Sequence, residues 1–423
     1  MGTKALTSDT TSPSRAVEAP GDQYRAADLP IYLFCRFFTA VAMQVQSVAI
    51  GWRVYDITHS ALSLGLVGLC QFVPIFLLTL PAGDLADRFD PRRVFSFCLT
   101  ALALAGALLC VITFSGVRGT WPYYAVLLVI GASRGLAGPS SQSLVPYLVP
   151  PARLPRAIAW SSSTFQVAVI VGPACGGVLY ALGPMAAFGT SAVCFLLAGI
   201  GVTYLTGRRQ PDVRGTDTNA IARIAEGVAF VRHRPIILGA LSLDLFAVLL
   251  GGSVALLPAY ARDILFVGPV GLGVLRSAPA FGAALMAISI GRRPIARHAG
   301  FKMFVGVALF GIATIVFGLS RNFYLSLAAL AVLGAADMVS VYVRQSLVQL
   351  SVPDAMRGRV SAVNVLFIGT SNELGEFESG VTAAWFGTVP SVVIGGLGTL
   401  FIVALWMGIF PSLRRVDRLT DVK

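Results

Sequence analysis

Charge is scarce in this chain: Asp, Glu, Lys and Arg make up 12% of its 423 residues, against about a quarter in soluble domains. A fully solvated globular surface is therefore excluded. Lysine occurs only at positions 4, 302 and 423, never after a glycine, which excludes a G-x-x-x-x-G-K-[ST] phosphate loop and an ATP-driven pump built on one. His59, His233 and His298 stand alone in polar breaks and form no H-E-x-x-H motif. Cys35, Cys70, Cys98, Cys110, Cys175 and Cys194 all fall inside apolar runs without C-x-x-C spacing, and read as small buried hydrophobes. No cofactor, metal or enzymatic activity is expected. Apolar residues, in contrast, reach 56%, with a mean hydropathy of +0.78, so the chain belongs in lipid.

Twelve long apolar segments follow one another with short polar breaks, at about 30–52, 61–82, 94–115, 122–147, 158–181, 185–206, 236–259, 269–291, 302–319, 322–350, 360–385 and 389–411. Most exceed the ~18–20 residues that cross a bilayer core as a helix. Residues 1–28, rich in Ser, Thr, Pro and Asp, read as a disordered cytoplasmic tail. Twenty-four of the 32 Lys and Arg residues fall on one face of this threading, against Arg53, Arg118, Arg262 and Arg321 on the other. Basic residues are retained on the cytoplasmic side, so both termini are expected there. The net charge of +12 is thus a topology signal, and no nucleic-acid partner is inferred from it.

The chain also repeats itself. Gln142-Ser143-Leu144-Val145, Val149-Pro150, Ala152 and Arg156 recur 203 positions later as Gln345-Ser346-Leu347-Val348, Val352-Pro353, Ala355 and Arg359, and Gly172 and Gly177 fall on Gly375 and Gly380. The expected fold is an all-α membrane protein with twelve transmembrane helices in two pseudo-symmetric six-helix halves, 29–206 and 236–411, the architecture of a secondary transporter. A central cytoplasmic loop, 207–235, separates them. Within it Ile224, Val228 and Val231 share one stripe, the pattern of an amphipathic surface helix. A basic cytoplasmic tail, 412–423, closes the chain.

Between spans two and three stands Gly83-Asp84-Leu85-Ala86-Asp87-Arg88-Phe89-Asp90-Pro91-Arg92-Arg93. It resembles the G-x-L-x-D-R-x-G-R-R signature of the major facilitator superfamily, with Asp90 where the second glycine is usual. The equivalent loop of the second half, 292–302, has Ala296 where the Asp would fall. In span four, Arg134-Gly135-Leu136-Ala137-Gly138 is similar to the superfamily's R-x-x-x-G pattern. Span five carries Gly172-Pro173-Ala174-Cys175-Gly176-Gly177, similar to the antiporter element G-x-x-x-G-P-x-x-G-G with Ala168 in place of its first glycine. Gly51-Trp52, Ser60-Ala61-Leu62-Ser63-Leu64-Gly65 and Val352-Pro353-Asp354-Ala355-Met356-Arg357-Gly358-Arg359-Val360 further resemble the transmembrane secretion effector and enterobactin-exporter branch of bacterial exporters. The resemblance covers about 28–411. It implies a conformational latch and gate at Gly83, Asp87, Arg88, Gly172, Pro173, Gly176 and Gly177, and proton coupling through Arg134.

Charges inside spans cost about 2.5–3.5 kcal/mol each at the bilayer centre unless paired or facing water. Arg36, Arg134, Asp244, Arg276, Asp337, Arg344, Glu373 and Glu376 are therefore the candidate substrate or proton pathway, with Glu378 beside them. Glu373 and Glu376, three apart on one helix face, repel each other, and a proton on one relieves that repulsion. Asp337 and Arg344 are about 10 Å apart along a helix, too far for direct pairing, and Arg344, near the cytoplasmic end, is able to snorkel. The expectation is a proton-coupled exporter of a small siderophore-like or drug-like molecule in the bacterial inner membrane, with protons and membrane lipids as partners. A phospholipid or lysophospholipid flippase is the alternative within transport, and a non-transporting sensor the alternative outside it.

Overall fold

The computed structural model describes residues 25–117, 119–206, 220–295 and 297–418, and leaves the side chains of 79–88, 220–224, 354, 355, 357 and 362 undescribed. Most of the N-terminal tail, the start of the central loop (207–219) and the last five residues (419–423) therefore lie outside the described residues. Regular structure among the described residues is helical throughout, as an apolar chain in lipid requires, since a helix satisfies its backbone internally. The helices of the first half are α1 (Asp28–Thr58), α2 (Ala61–Arg88), α3 (Pro91–Phe114), α4 (Trp121–Leu148), α5 (Leu154–Leu182) and α6 (Pro184–Thr203). After α7 (Ala220–Arg232) come α8 (Pro235–Leu250), the short α9 (Leu257–Ala259), α10 (Gly268–Arg292), α11 (Ala299–Leu319), α12 (Phe323–Ser351), α13 (Asp354–Phe386), α14 (Thr388–Ile409) and the single turn α15 (Pro411–Arg414).

Local chemistry explains the ends. His59 closes α1 in the left-handed region, its N–H on the Tyr55 carbonyl at 2.8 Å, and Gly387, at φ 92°, makes the break between α13 and α14. Asn322 caps α12 through the N–H groups of Tyr324 and Leu325. Asp90, the departure from the signature loop, has a structural use: it is the N-cap of α3, accepting from the Arg92 N–H at 3.0 Å ahead of Pro91. Arg92 closes the corner by pairing with Asp90 and donating to the Leu205 carbonyl at 2.7 Å.

Among the described residues, ten helical segments are long and apolar enough to cross a membrane. The two expected spans outside that set are α4 and α13, of 28 and 33 residues. They are long enough but more polar, because α4 carries Arg134 and four serines, and α13 carries Glu373, Glu376 and Glu378. Both are packed among the others, α4 against α2 and α3, α13 against α2 and α8.

Helix pairing repeats between the halves. In the first, α1 packs on α5 and α6, α3 on α6 and α4, and α2 on α4; in the second, α8 packs on α13 and α14, α11 on α14 and α12, and α10 on α12. Tyr32, Leu99, Phe188 and Phe195 lie in the first core, and Phe317, Leu330, Phe304 and Met303 in those of the second. Large apolar side chains such as Phe97, Leu104, Val111 and Phe401 point outward, the surface a bilayer covers.

Two helix pairs form the seam between halves, α2 with α13 and α5 with α10. Both close at the end of the bundle that carries His59, and both do so glycine on glycine. A Cβ on Gly65 would sit 3.0 Å from the Gly380 Cα, and one on Gly177 would lie 3.1 Å from the Gly273 Cα and overlap the Pro269 carbonyl. Small residues here allow backbone to meet backbone.

Span seven is not the continuous helix expected over 236–259. It breaks after Leu250 at Gly251 and Gly252, then runs through 3₁₀ turns (Ser253–Leu256), α9 and a π turn (Tyr260–Ile264). Gly252 lies against the Gly375 carbonyl, where a side chain would collide at 2.6 Å. In the central segment α7 is helical, but its stripe divides. Val231 is buried in a cluster with Val360, while Val228 is exposed. Glu226 pairs with Arg359 at 2.7 Å, so α7 docks on the start of α13 as well as presenting an outward face.

Candidate functional site

A cavity at the seam draws together five of the eight expected pathway residues. Its deeper lobe, about 210 Å³, is lined by Gln44, Ser47, Gln71, Arg134, Arg276, Glu373 and Glu376 among others. A second lobe, about 300 Å³, shares Ala40, Met43, Arg134 and Phe165 with the first and adds Arg36, Phe95 and Ser141. Arg134, on α4, donates to Gln71 Oε1 at 2.6 Å and lies 3.5 Å from Glu373 on α13, an ion pair across the two halves. Arg276 of α10 reaches the other way, donating to Ser47 of α1 at 2.8 Å, and interacts electrostatically with Glu376 and Glu373. Gly68 makes this possible: a Cβ there would stand 2.8 Å from that of Glu376.

The remaining three, Asp244, Asp337 and Arg344, form a separate cluster inside the second half. Arg344 does not snorkel. Its side chain is 3% exposed and paired with Asp244, because α8 and α12 cross there and supply the counter-charge. Ser340 also donates to Asp244, at 3.4 Å. Asp337 interacts electrostatically with Asp244 and Arg344 but makes no hydrogen bond or ion pair among the described residues. Two carboxylates, Asp244 buried and Asp337 half-buried, thus share one guanidinium, an arrangement that a single proton neutralises. Glu378 lies apart from this cluster and accepts from the Thr382 hydroxyl at 2.7 Å.

The span-five element divides by face. Gly172 and Gly176 meet Gln44 and Val45 of α1 in their own half, while Gly177 crosses the seam to Gly273, with the Pro173 carbonyl against the same residue. The backbone of α2 stays helical through Gly83, Asp87 and Arg88, whose side chains lie outside the described residues, as does Ala296. Sequence reasoning missed a cluster at the His59 end. Tyr55 donates to Asp263, and Asp56 pairs with Arg262, each bond joining α1 to the π turn after α9; Arg53 stands 3.7 Å from Asp56. The signal was faint, two acidic residues at span ends on the face with few charges. Gly131-Ala132-Ser133-Arg134-Gly135 matches the spacing of a hydrolase nucleophile elbow. Ser133 lies within α4, however, where no strand-to-helix turn presents it.

Two repeated helical halves around a charged cavity at their seam define a membrane transporter of the major facilitator type. Solved structures agree on the fold. A bacterial homolog of the human lysosomal transporter Spinster superposes with a TM-score of 0.72 at 13% identity, covering 95% of this chain and 98% of that one. The nucleoside transporter NupG gives 0.70 at 13%, covering 90% and 98%. The chain belongs to the transmembrane secretion effector family, whose pattern matches residues 28–422. It is 25% identical to the enterobactin exporter EntS of Shigella flexneri over 90% of this chain and 91% of that protein. Macrolide efflux protein A of Streptococcus pyogenes is 22% identical, over 89% and 94%. These relatives are transporters, not enzymes.

Proposed function

We propose that this protein exports a small organic molecule, siderophore-like or drug-like, from the cytoplasm by alternating access, driven by protons moving inward. The observation that carries the reading is the ion pair between Arg134 and Glu373, formed across the seam inside a cavity bounded by both halves. A charge pair there differs in energy between any two arrangements of the halves, so protonation of one member biases which arrangement is populated. The export direction is supported by the names of the relatives, an enterobactin exporter and a macrolide efflux protein. α4 and α13 serve as the eleventh and twelfth spans, their polarity being that of cavity walls.

In this reading the chain resides in the bacterial cytoplasmic membrane with both termini inside, the His59 end faces outward, and Tyr55–Asp263 and Asp56–Arg262 hold the outer side closed. Asp87 acts as a latch at the inner end of α2, together with Gly83 and Arg88. The domain division stays at 29–206 and 236–411, with the tails and the 207–235 loop cytoplasmic. The test is transport by everted vesicles: uptake of enterobactin or erythromycin that collapses with a protonophore supports the reading. Uptake that is absent for every compound in a siderophore and antibiotic panel, with the protein inserted, refutes it.

A further inference from the structure

The charges of the cavity do not cancel. Three guanidiniums, Arg36, Arg134 and Arg276, face two carboxylates, and the two deeper arginines have Glu373 and Glu376 to interact with. Arg36 is left over. Its Nη1 donates to the Ser141 hydroxyl at 3.1 Å and its Nε to the Ser161 carbonyl at 3.3 Å, both neutral acceptors. Among the described residues no carboxylate pairs with it, and its Nη2 makes no hydrogen bond. The guanidinium also lies over the Phe165 ring, 5.2 Å from its centroid, which fixes its plane and leaves its free edge for a ligand. Phe95 and Met43 complete an apolar wall.

A second observation bears on the same point. Where α1 begins, a groove of about 1230 Å³ is bordered by Arg25, Arg153 and Arg156, together with Trp160. Trp160 is the residue before Ser161, whose carbonyl holds Arg36, and Arg25 lies eleven positions before Arg36 on the chain, about 16 Å if helical. Among the described residues no acidic side chain lines the groove. Its border and the lobe beyond it carry the same sign of charge, which concentrates anions and repels cations.

We infer that the lobe around Arg36 is the subsite that takes an acidic group, a carboxylate or ionised phenol on an aromatic ring, of the exported molecule. The inference rests on the transport reading above and narrows its substrate class to organic anions. The anionic oxygen accepts from the free edge of Arg36, and the ring packs against Phe165 and Phe95. A cation has no free carboxylate to meet in this lobe.

The test is equilibrium binding of two probes to the purified full-length protein, 1-naphthoate and 1-naphthylmethylamine, equal in ring and opposite in charge. Wild type is expected to bind naphthoate saturably and at least about tenfold tighter than the amine, and Arg36→Gln to weaken naphthoate by about tenfold or more, the loss of one charged hydrogen-bonding partner. Arg36→Lys keeps the charge without the fork, and must keep the preference for the anion at intermediate affinity. It also gives the answer if Arg36→Gln does not fold. No naphthoate binding by wild type, a preference for the amine, or unchanged affinity in Arg36→Gln overturns the subsite. Vesicle transport is scored separately: transport without naphthoate binding refutes the subsite alone, whereas absence of transport for every compound removes both readings.

Discussion

Replacing Asp263 by asparagine keeps its volume but removes the charge from the group that accepts the Tyr55 hydroxyl. Tyr55 is only 6% exposed but Asp263 is exposed, so the bond is shielded from one side only and belongs near the lower end of the about 1.5–3 kcal/mol that hydrogen bonds to charged groups contribute. The neighbouring Asp56–Arg262 pair is different. Its side chains are 36% and 30% exposed, and pairs so open to solvent are worth about 0–1 kcal/mol. At about 1.4 kcal/mol per factor of ten, Asp263→Asn should raise the population open at the His59 end by up to about tenfold. Asp56→Asn should raise it no more than about fivefold. Tyr55→Phe removes the donor and with it the whole bond, and should match or exceed Asp263→Asn, in which the amide oxygen still accepts the hydroxyl. Spin labels at Ser60 and Leu265, introduced as cysteines in a background without the six native ones, report the separation of the halves by double electron–electron resonance. A larger shift for Asp56→Asn than for Asp263→Asn, or no shift for any of the three, would refute the assignment of Tyr55 and Asp263 as the dominant tie.

Asp244→Ala leaves Asp337 as the sole counter-charge of the buried Arg344 and should cost less than the about 3–5 kcal/mol of a wholly uncompensated buried charge, whereas Asp244→Ala/Asp337→Ala should cost the full amount, read as resistance to denaturation in detergent. Gly177→Leu must displace the Pro269 carbonyl across the seam and should insert normally yet abolish transport, while Gly408→Ala, with nothing within 4 Å of its added methyl, should transport as wild type. If protons couple through Asp337 and Glu373, Asp337→Asn and Glu373→Gln will each lose proton-driven accumulation but retain counterflow, which needs no net protonation. A pH dependence unchanged in both variants would assign coupling to another carboxylate.

Much of the architecture was legible because duplication and lipid each leave a coarse, chain-wide signal. The 203-residue offset implied two halves, and the paired helices repeat accordingly. The restart of the chain at Asp90 was visible as a departure from the superfamily loop, though its use as a cap was not. What the sequence hid were contacts between helices remote in the chain. Arg344 looked like a terminal cation because its partner, Asp244, is 100 positions away, and which helices cross is decided by packing along their whole length. Gly172 and Gly177 looked equivalent, yet five residues of helix turn them about 140° apart, so one meets its own half and the other the opposite half. The break in span seven was written plainly as Gly251-Gly252, but glycine pairs are so common in membrane helices that they do not by themselves announce one.

The two glycine contacts at the seam, Gly65 on Gly380 and Gly177 on Gly273, have a mechanical meaning. Gly177 and Gly380 are equivalents in the repeat, and the helix pairs that carry the contacts, α5 with α10 and α13 with α2, correspond between the halves. In the alternating-access reading, rotation about the line joining these two contacts is the motion they resist least, while sliding and twisting force side chains or carbonyls into each other. With no side chain to deform, each glycine pair behaves as a bearing. If the halves rock as proposed, the duplication that built the second half also supplied both ends of a single axle.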